Sequence, residues 1–213
     1  MKKIAIIGAG GFGREVKTLI NQINEENKIF DIIGFYDENE ELPEKINGIP
    51  YLGNIENLYN FNQEIALVIA IAIPKIKKEI IKNLKNYKYD FPILIHPKTI
   101  IGKDNVTIGE GSIICAGNII TNDIQIGDFT TLNLCCTTGH DTKIGAFSSF
   151  MPSVNISGEV KMGEGIYVGT GAKIINNLEI GANTIIGAGA VVSKSLPENC
   201  TAVGVPAKPM KFH

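Results

Sequence analysis

The chain has three histidines in 213 residues, and only one stands where a base would be useful. His213 is terminal and His96 precedes Pro97, whereas His140 is followed directly by Asp141. An imidazole titrates near neutral pH, so His140 is the well-placed candidate for general-base chemistry. A surface histidine next to a corner aspartate that favours left-handed dihedrals would leave the same two letters. A second chemical signature lies near the start of the chain. Gly8-Ala9-Gly10-Gly11-Phe12-Gly13 fits GxGxxG, with the apolar run Lys2 to Ile7 before it and a helical pattern after it. Loop amides and a helix N-terminus in that setting hold a pyrophosphate, and Asp37, closing the next apolar run, is placed to read a ribose or base edge. The same letters also fit a tight turn in which glycine serves geometry alone and Asp37 is solvated.

What must position His140 is a repeat. Every sixth residue from Ile108 to Val192 is apolar except Thr138, and glycine often follows, as at Gly109, Gly127, Gly139, Gly145 and Gly163. Four residues after each of these anchors sits mostly a small or β-branched side chain, such as Ser112, Cys136, Thr142, Ser148 or Ala172. Neither a helix nor an ordinary strand has a period of six; a parallel β-helix does. Anchors fill the axis of a triangular prism, the fourth following residues pack beside them, and glycine after the anchor tolerates a tight bend. With three hexads per coil, the fifteen in-phase positions make about five coils, a rod on the order of 24 Å long. His140, two residues past its anchor, should then face outward.

The first ninety-five residues read differently. Ile29 to Tyr36, Ile65 to Ile73 and Ile93 to Ile95 read as further strands. One helix carries Val16, Leu19, Ile20 and Ile23, and another, from Lys75 to Asn86, carries Ile76, Ile80, Ile81 and Leu84. Alternating strands and helices predict a small parallel α/β domain over 1–95, half of a Rossmann unit, before a β-helix domain over 96–213. Half a unit suits one nucleotide carrying a sugar better than a dinucleotide, which argues against an NAD-dependent oxidoreductase.

Composition narrows the class. A formal net charge of −2 with mixed signs is no footprint for nucleic acid. The longest apolar run, Ile65 to Ile73, is too short for a bilayer, and no cleavage site follows the short run at Ile4 to Ile7, so no membrane insertion and no signal peptide are expected. Cys115, Cys135, Cys136 and Cys200 lack metal-ligand spacing, and no metal is expected; Cys136 holds an inward position. A soluble, reduced, cytoplasmic protein is the expectation.

The segments Thr138-Gly139-His140-Asp141 and Lys143-Ile144-Gly145, the glycine loop and the tail Gly204-Val205-Pro206-Ala207-Lys208-Pro209 together resemble the NeuD/PglD group of sugar O- and N-acetyltransferases, over essentially the whole chain. The resemblance implies a left-handed β-helix, a homotrimer, acetyl-CoA as co-substrate and a nucleotide-linked 4-amino-4,6-dideoxysugar as acceptor, for surface glycan synthesis. It implies that His140 is the general base, that Asp141 raises its basicity, and that the Gly158 N–H contacts the thioester oxygen. Transfer is direct, with no side-chain nucleophile. Gly10, Gly11 and Phe12 match the loop against the nucleotide phosphates, Asp37 the acid at the uridine end, and Ala72 the residue closing the site after the central strand. Ser149, Thr170 and Ala188 match coenzyme A contacts, and Lys208 is a candidate for its phosphates. Phe12 and Ser149 stand where some relatives carry histidine.

Two other readings use the same residues: O-acetylation of a sialic-acid-type sugar by the same base, and a nucleotide-binding scaffold with a structural β-helix. A prism filled by its own side chains cannot enclose an acyl-CoA, so the ligand must lie outside, in a groove that needs a neighbour; cyclic closure then predicts a trimer.

Overall fold

The computed structural model describes residues 1–60, 64–84 and 88–213. The N-terminal part is a three-stranded parallel sheet in the order β2-β1-β3, with β1 at Lys2–Ile7, β2 at Phe30–Tyr36 and β3 at Ala66–Ile69. Helix α1 (Gly11–Glu26) joins β1 to β2, and its apolar stripe, Val16, Leu19, Ile20 and Ile23, is buried as its 3.6-residue spacing requires. The strand expected over Ile65 to Ile73 is shorter. Its ladder ends where the Ala70 N–H donates to the Ile7 carbonyl, and Ile71 turns away to line a cleft. Helix α2 (Pro74–Leu84) begins on the proline; the end expected at Asn86 lies outside the described residues. Its buried face holds Pro74, Lys77, Ile80 and Leu84, whereas Ile76 stays exposed.

From Leu94 onward the chain coils into a left-handed parallel β-helix with three faces. One face, here the docked face, runs from Leu94–Ile95 through Ser149–Phe150 to Cys200–Val203 and ends on the antiparallel strand Lys208–Phe212. The second face has six strands, from Ile100–Ile101 to Val191–Val192, and the third has five, from Val106–Ile108 to Glu179–Ile180. The rod is therefore longer than a count from Ile108 implies. Ile101 and Ile108 are seven residues apart, and that one-residue insertion hides the first strands from a strict six-residue reading. Leu94–Ile95, expected as the last strand of the α/β part, instead pairs with Ile113–Ile114 of the coil.

The anchors and the fourth following residues do point inward: Ile114, Leu132, Phe150 and Ile186 are buried, and so are Ser112, Thr142, Ser148 and Ala172. Each buried aliphatic anchor contributes roughly 1.5–3 kcal/mol. Cys136 is buried too, and burial pushes its thiol up to about 11, which makes it inert as a nucleophile. The bend is not made by the glycine after the anchor. A Cβ on Gly145 would lie 2.4 Å from backbone atoms of Gly163 in the next coil, so glycine is needed there for close stacking. The bend falls two residues later, where Asp123, Phe129, Cys135, Asp141, Phe147, Ser153 and their counterparts all adopt positive φ.

The α/β part packs on the docked face. Lys77, on α2, is 1% exposed, and its ammonium donates to the carbonyls of Phe129 (2.7 Å) and Ser148 (3.1 Å) on the coil. Burial pushes it down from the usual 10.5 to about 7. Between about pH 7 and 10.5 the unfolded chain holds a proton that the folded chain has released, so this residue makes stability rise with pH across that window. Thermal melts from pH 7 to 8.5 should show the rise in the native protein and a flatter profile in Lys77→Met. Identical slopes would place the charge elsewhere.

Candidate active site

The strand Thr137–Thr138 on the second face delivers His140 to the corner where the chain turns toward the third face. Thr138 points inward as the anchors do, 1% exposed. Two residues on, the side chains of His140 and Asp141 are 62% and 59% exposed, so the imidazole faces out of the prism. Asp141 has a φ of 57°, which turns its carboxylate back toward the ring. His140 Nδ1 lies 2.8 Å from Asp141 Oδ2. The carboxylate selects the tautomer protonated on Nδ1 and leaves Nε2 unprotonated and without a described hydrogen-bond partner, the arrangement a general base needs. Asp141 is therefore a corner residue and the partner of His140 at once.

One coil further along the same corner lies Gly158. A Cβ built there would fall 2.5 Å from His140 Nε2, so the ring rests on the glycine Cα and occupies the side-chain space it leaves empty. The Gly158 N–H donates to no described residue, while its carbonyl accepts from Asn177. An exposed imidazole thus covers a buried glycine whose amide has no described acceptor, a pairing able to take a proton and, where a thioester displaces the ring's cover, to stabilise a developing oxyanion.

The residues expected at coenzyme A divide. Thr170 and Ala188 are exposed and occupy equivalent positions in successive coils, but at the corner between the docked and second faces, a different edge from His140. Lys208 is exposed on the terminal antiparallel strand. Ser149 is 0% exposed within the chain, and its hydroxyl finds no partner among the described residues. Its outward direction on the docked face carries it under the α/β part. The expected contact is therefore closed within one protomer.

The glycine loop opens at the C-terminal ends of the parallel strands, where β2 and β3 flank β1 and the chain leaves in opposite directions. Such a switch point leaves a crevice. Gly10 caps α1 without a side-chain bond, and nothing lies within 4 Å of a Cβ built on Gly10 or Gly11, so the first-turn amides face open space. Gly13 serves packing instead. Its Cβ would sit 1.9 Å from the Gly8 carbonyl oxygen, so glycine there permits the close approach of α1 to β1. Phe12 packs against the apolar core beneath the loop. Arg14, passed over in the sequence, brings its guanidinium to 3.4 Å from the Ala9 carbonyl.

Beside the loop is a cleft of about 580 Å³ lined by Ile7, Gly8, Asp37, Glu38, Ile55, Glu56, Ile71, Ile76, Glu79, Ile80 and Asn83. Of the residues expected to touch a nucleotide, only Asp37 lines it; Gly10, Gly11 and Phe12 lie past Gly8, and Ala72 follows Ile71 on the segment leaving β3. Asp37 Oδ2 accepts the Ala9 N–H at 2.7 Å and Oδ1 the Asn39 N–H at 3.0 Å, so this carboxylate fastens the glycine loop as well as facing the cleft. Among the described residues no cluster of three or more His, Cys, Asp or Glu could hold a metal, and no helix is long and apolar enough to cross a membrane.

Comparison with known proteins places both halves. The family model of the PglD N-terminal domain matches residues 3–84. The chain is 31% identical to a protein of Escherichia coli O157:H7 named GDP-perosamine N-acetyltransferase, over 81% of this chain and 77% of that one. It is 35% identical, over 54% of this chain and 52% of the relative, to a Bacillus subtilis protein named UDP-N-acetylbacillosamine N-acetyltransferase. The crystal structure of PerB from Caulobacter crescentus, in complex with CoA and GDP-perosamine, superimposes with a TM-score of 0.90 at 29% identity, covering 99% of this chain and 98% of that one. Histidine-to-asparagine and histidine-to-alanine mutants of that perosamine N-acetyltransferase have also been solved with both ligands.

Proposed function

The chain belongs to the NeuD/PglD group of hexapeptide-repeat sugar acetyltransferases, and on that footing we propose that it transfers the acetyl group of acetyl-CoA to the amino group of a nucleotide-linked 4-amino-4,6-dideoxysugar. The observation that carries this reading is the exposed corner where His140 Nε2, oriented through Asp141, stands against Gly158. His140 accepts the proton that the sugar ammonium must lose as its nitrogen attacks the thioester carbonyl. The Gly158 N–H supports the oxyanion that develops on that carbonyl. The imidazolium so formed can return its proton to the departing CoA sulfur. No acyl-enzyme is needed.

The nucleotide would span the glycine loop and the cleft, with phosphates against the first-turn amides of α1 and Arg14, and the base between the isoleucine walls. No described lysine or arginine lines the cleft, whereas Glu56 and Glu79 do, and neither carboxylate bonds a described residue. Guanine offers adjacent N1–H and N2–H donors to two carboxylate oxygens, whereas uracil and thymine offer one N–H flanked by carbonyls. The lining therefore favours a GDP-linked sugar.

A homotrimer completes the site. Thr170 and Ala188 stand on one edge of the prism and His140 on another, with the second face between them. One narrow acyl-CoA touches both sets only if they come from two protomers. Ile100 and Ile119 on that face, with Leu134 and Ile175 beside it, are exposed and apolar, as a surface awaiting neighbours would be. Both substrates are cytoplasmic metabolites, so the enzyme would act there.

The test is CoA-thiol release with GDP-, UDP- and dTDP-linked 4-aminosugars, run on material whose oligomeric state is measured by sedimentation. The expected result is turnover by a trimer, with the highest kcat/KM on the GDP-linked sugar. No turnover with any amine acceptor ends the enzymatic reading. Preference for another base removes only the guanine assignment, and an active monomer removes the shared site.

A further inference from the structure

Resting on that reading, we propose that Thr142 is a positioning residue for acyl transfer, aiming the Gly158 N–H and steadying His140 with one buried hydroxyl. Thr142 is 0% exposed, at the fourth position after its anchor, where the sequence pattern accounts for it by packing alone. Its Oγ1 donates toward two carbonyls: that of Ser157 at 3.2 Å and that of His140 at 3.4 Å. The Ser157 carbonyl and the Gly158 N–H belong to the same planar, trans peptide group, so fixing the direction of one fixes the other. The His140 carbonyl is also held by the Glu159 N–H at 2.8 Å. The hydroxyl therefore ties the coil carrying the base to the coil carrying the oxyanion donor, at the one corner where both lie.

The same brace recurs where no chemistry is assigned. Thr184 Oγ1 donates to the Pro197 carbonyl at 2.7 Å, and Ser112 Oγ to the Gly127 carbonyl at 3.2 Å. The bond is thus a general device of this coil, and its consequence at Thr142 comes from which peptide it grips. That gives a matched control: Thr184→Val loses the same kind of bond far from the base.

The experiment compares Thr142→Val, Thr142→Ser and Thr184→Val in the full-length protein, by melting temperature and by kcat and KM for each substrate. For Thr142→Val, kcat should fall about tenfold, less than for outright loss of an oxyanion donor. Both KM values should stay within about twofold, as for an interaction made in the transition state alone. Thr142→Ser, which keeps the hydroxyl, should recover most of the rate. Thr184→Val should lose comparable thermal stability with kcat within about twofold of native. A Thr142→Val enzyme at native kcat, or an equal fall in Thr184→Val, overturns the proposal. Absence of acetyl transfer by the native protein instead overturns the function on which it rests, and this proposal with it.

Discussion

Replacing His140 with alanine is expected to lower kcat by roughly two to four powers of ten, the range for loss of a general base. Nothing in the core should change, because the side chain is 62% exposed and both bonds to the His140 carbonyl come from elsewhere. His140→Asn is the sharper variant. It keeps a donor for Asp141 but has no basic nitrogen to take a proton. Both variants should melt like the native protein, bind acetyl-CoA with unchanged affinity and fail in turnover. A native rate in either would mean that the acceptor amine loses its proton to some other group, and the nucleotide-binding scaffold would become the better account of the coil.

Gly158→Ala is expected to cost on the order of 100-fold in kcat, the scale of a misplacement near 1 Å. The new methyl would begin 2.5 Å from Nε2 and 2.6 Å from Cε1 of His140, so the ring must swing aside. The ring is exposed and free to move, and Gly158 does not have a positive φ, so alanine fits its backbone without strain. The loss should therefore appear in kcat with little change in melting temperature. Full activity in Gly158→Ala would show that the imidazole need not rest against that Cα during transfer. A collapse in stability equal to the loss of rate would show a structural glycine instead.

These two residues show how the sequence and the structure share the information. That His140 faces outward follows from counting: a period of six with inward positions at the anchor and four residues on leaves the second position pointing away. Gly158 is marked by the resemblance, and eighteen residues per coil put it at the equivalent position of the next coil, but the contact between them is not counted out in this way. The purpose of the other glycines is not legible in the same way. A glycine after an anchor reads as the bend, yet many bends carry aspartate, phenylalanine, serine or cysteine at positive φ, and Gly145 is there because Gly163 of the next coil is 2.4 Å from where a Cβ would be. Only stacked coils reveal which atom would collide.

The same limit explains Ser149, Lys77 and the cleft. Ser149 is outward by the repeat and closed in fact, because the α/β part rests on that face. The stripe expected on α2 includes Ile76, but the helix settles with Lys77 buried against the coil and Ile76 at the cleft. Helical periodicity gives the stripe only to within a rotation of the helix, and the surface it meets selects the final orientation.

By itself the sequence determined the two-part architecture, the six-residue coil and an outward His-Asp pair, because each is a periodic or local property written in neighbouring residues. The tertiary structure decided what meets across coils and across the two parts: the ring resting on Gly158, the hydroxyl of Thr142 reaching the peptide behind it, and the face on which the nucleotide-binding half sits. Those contacts join residues fifteen or more positions apart, and their distances follow from how closely whole coils and a helix can pack, which no local spacing encodes.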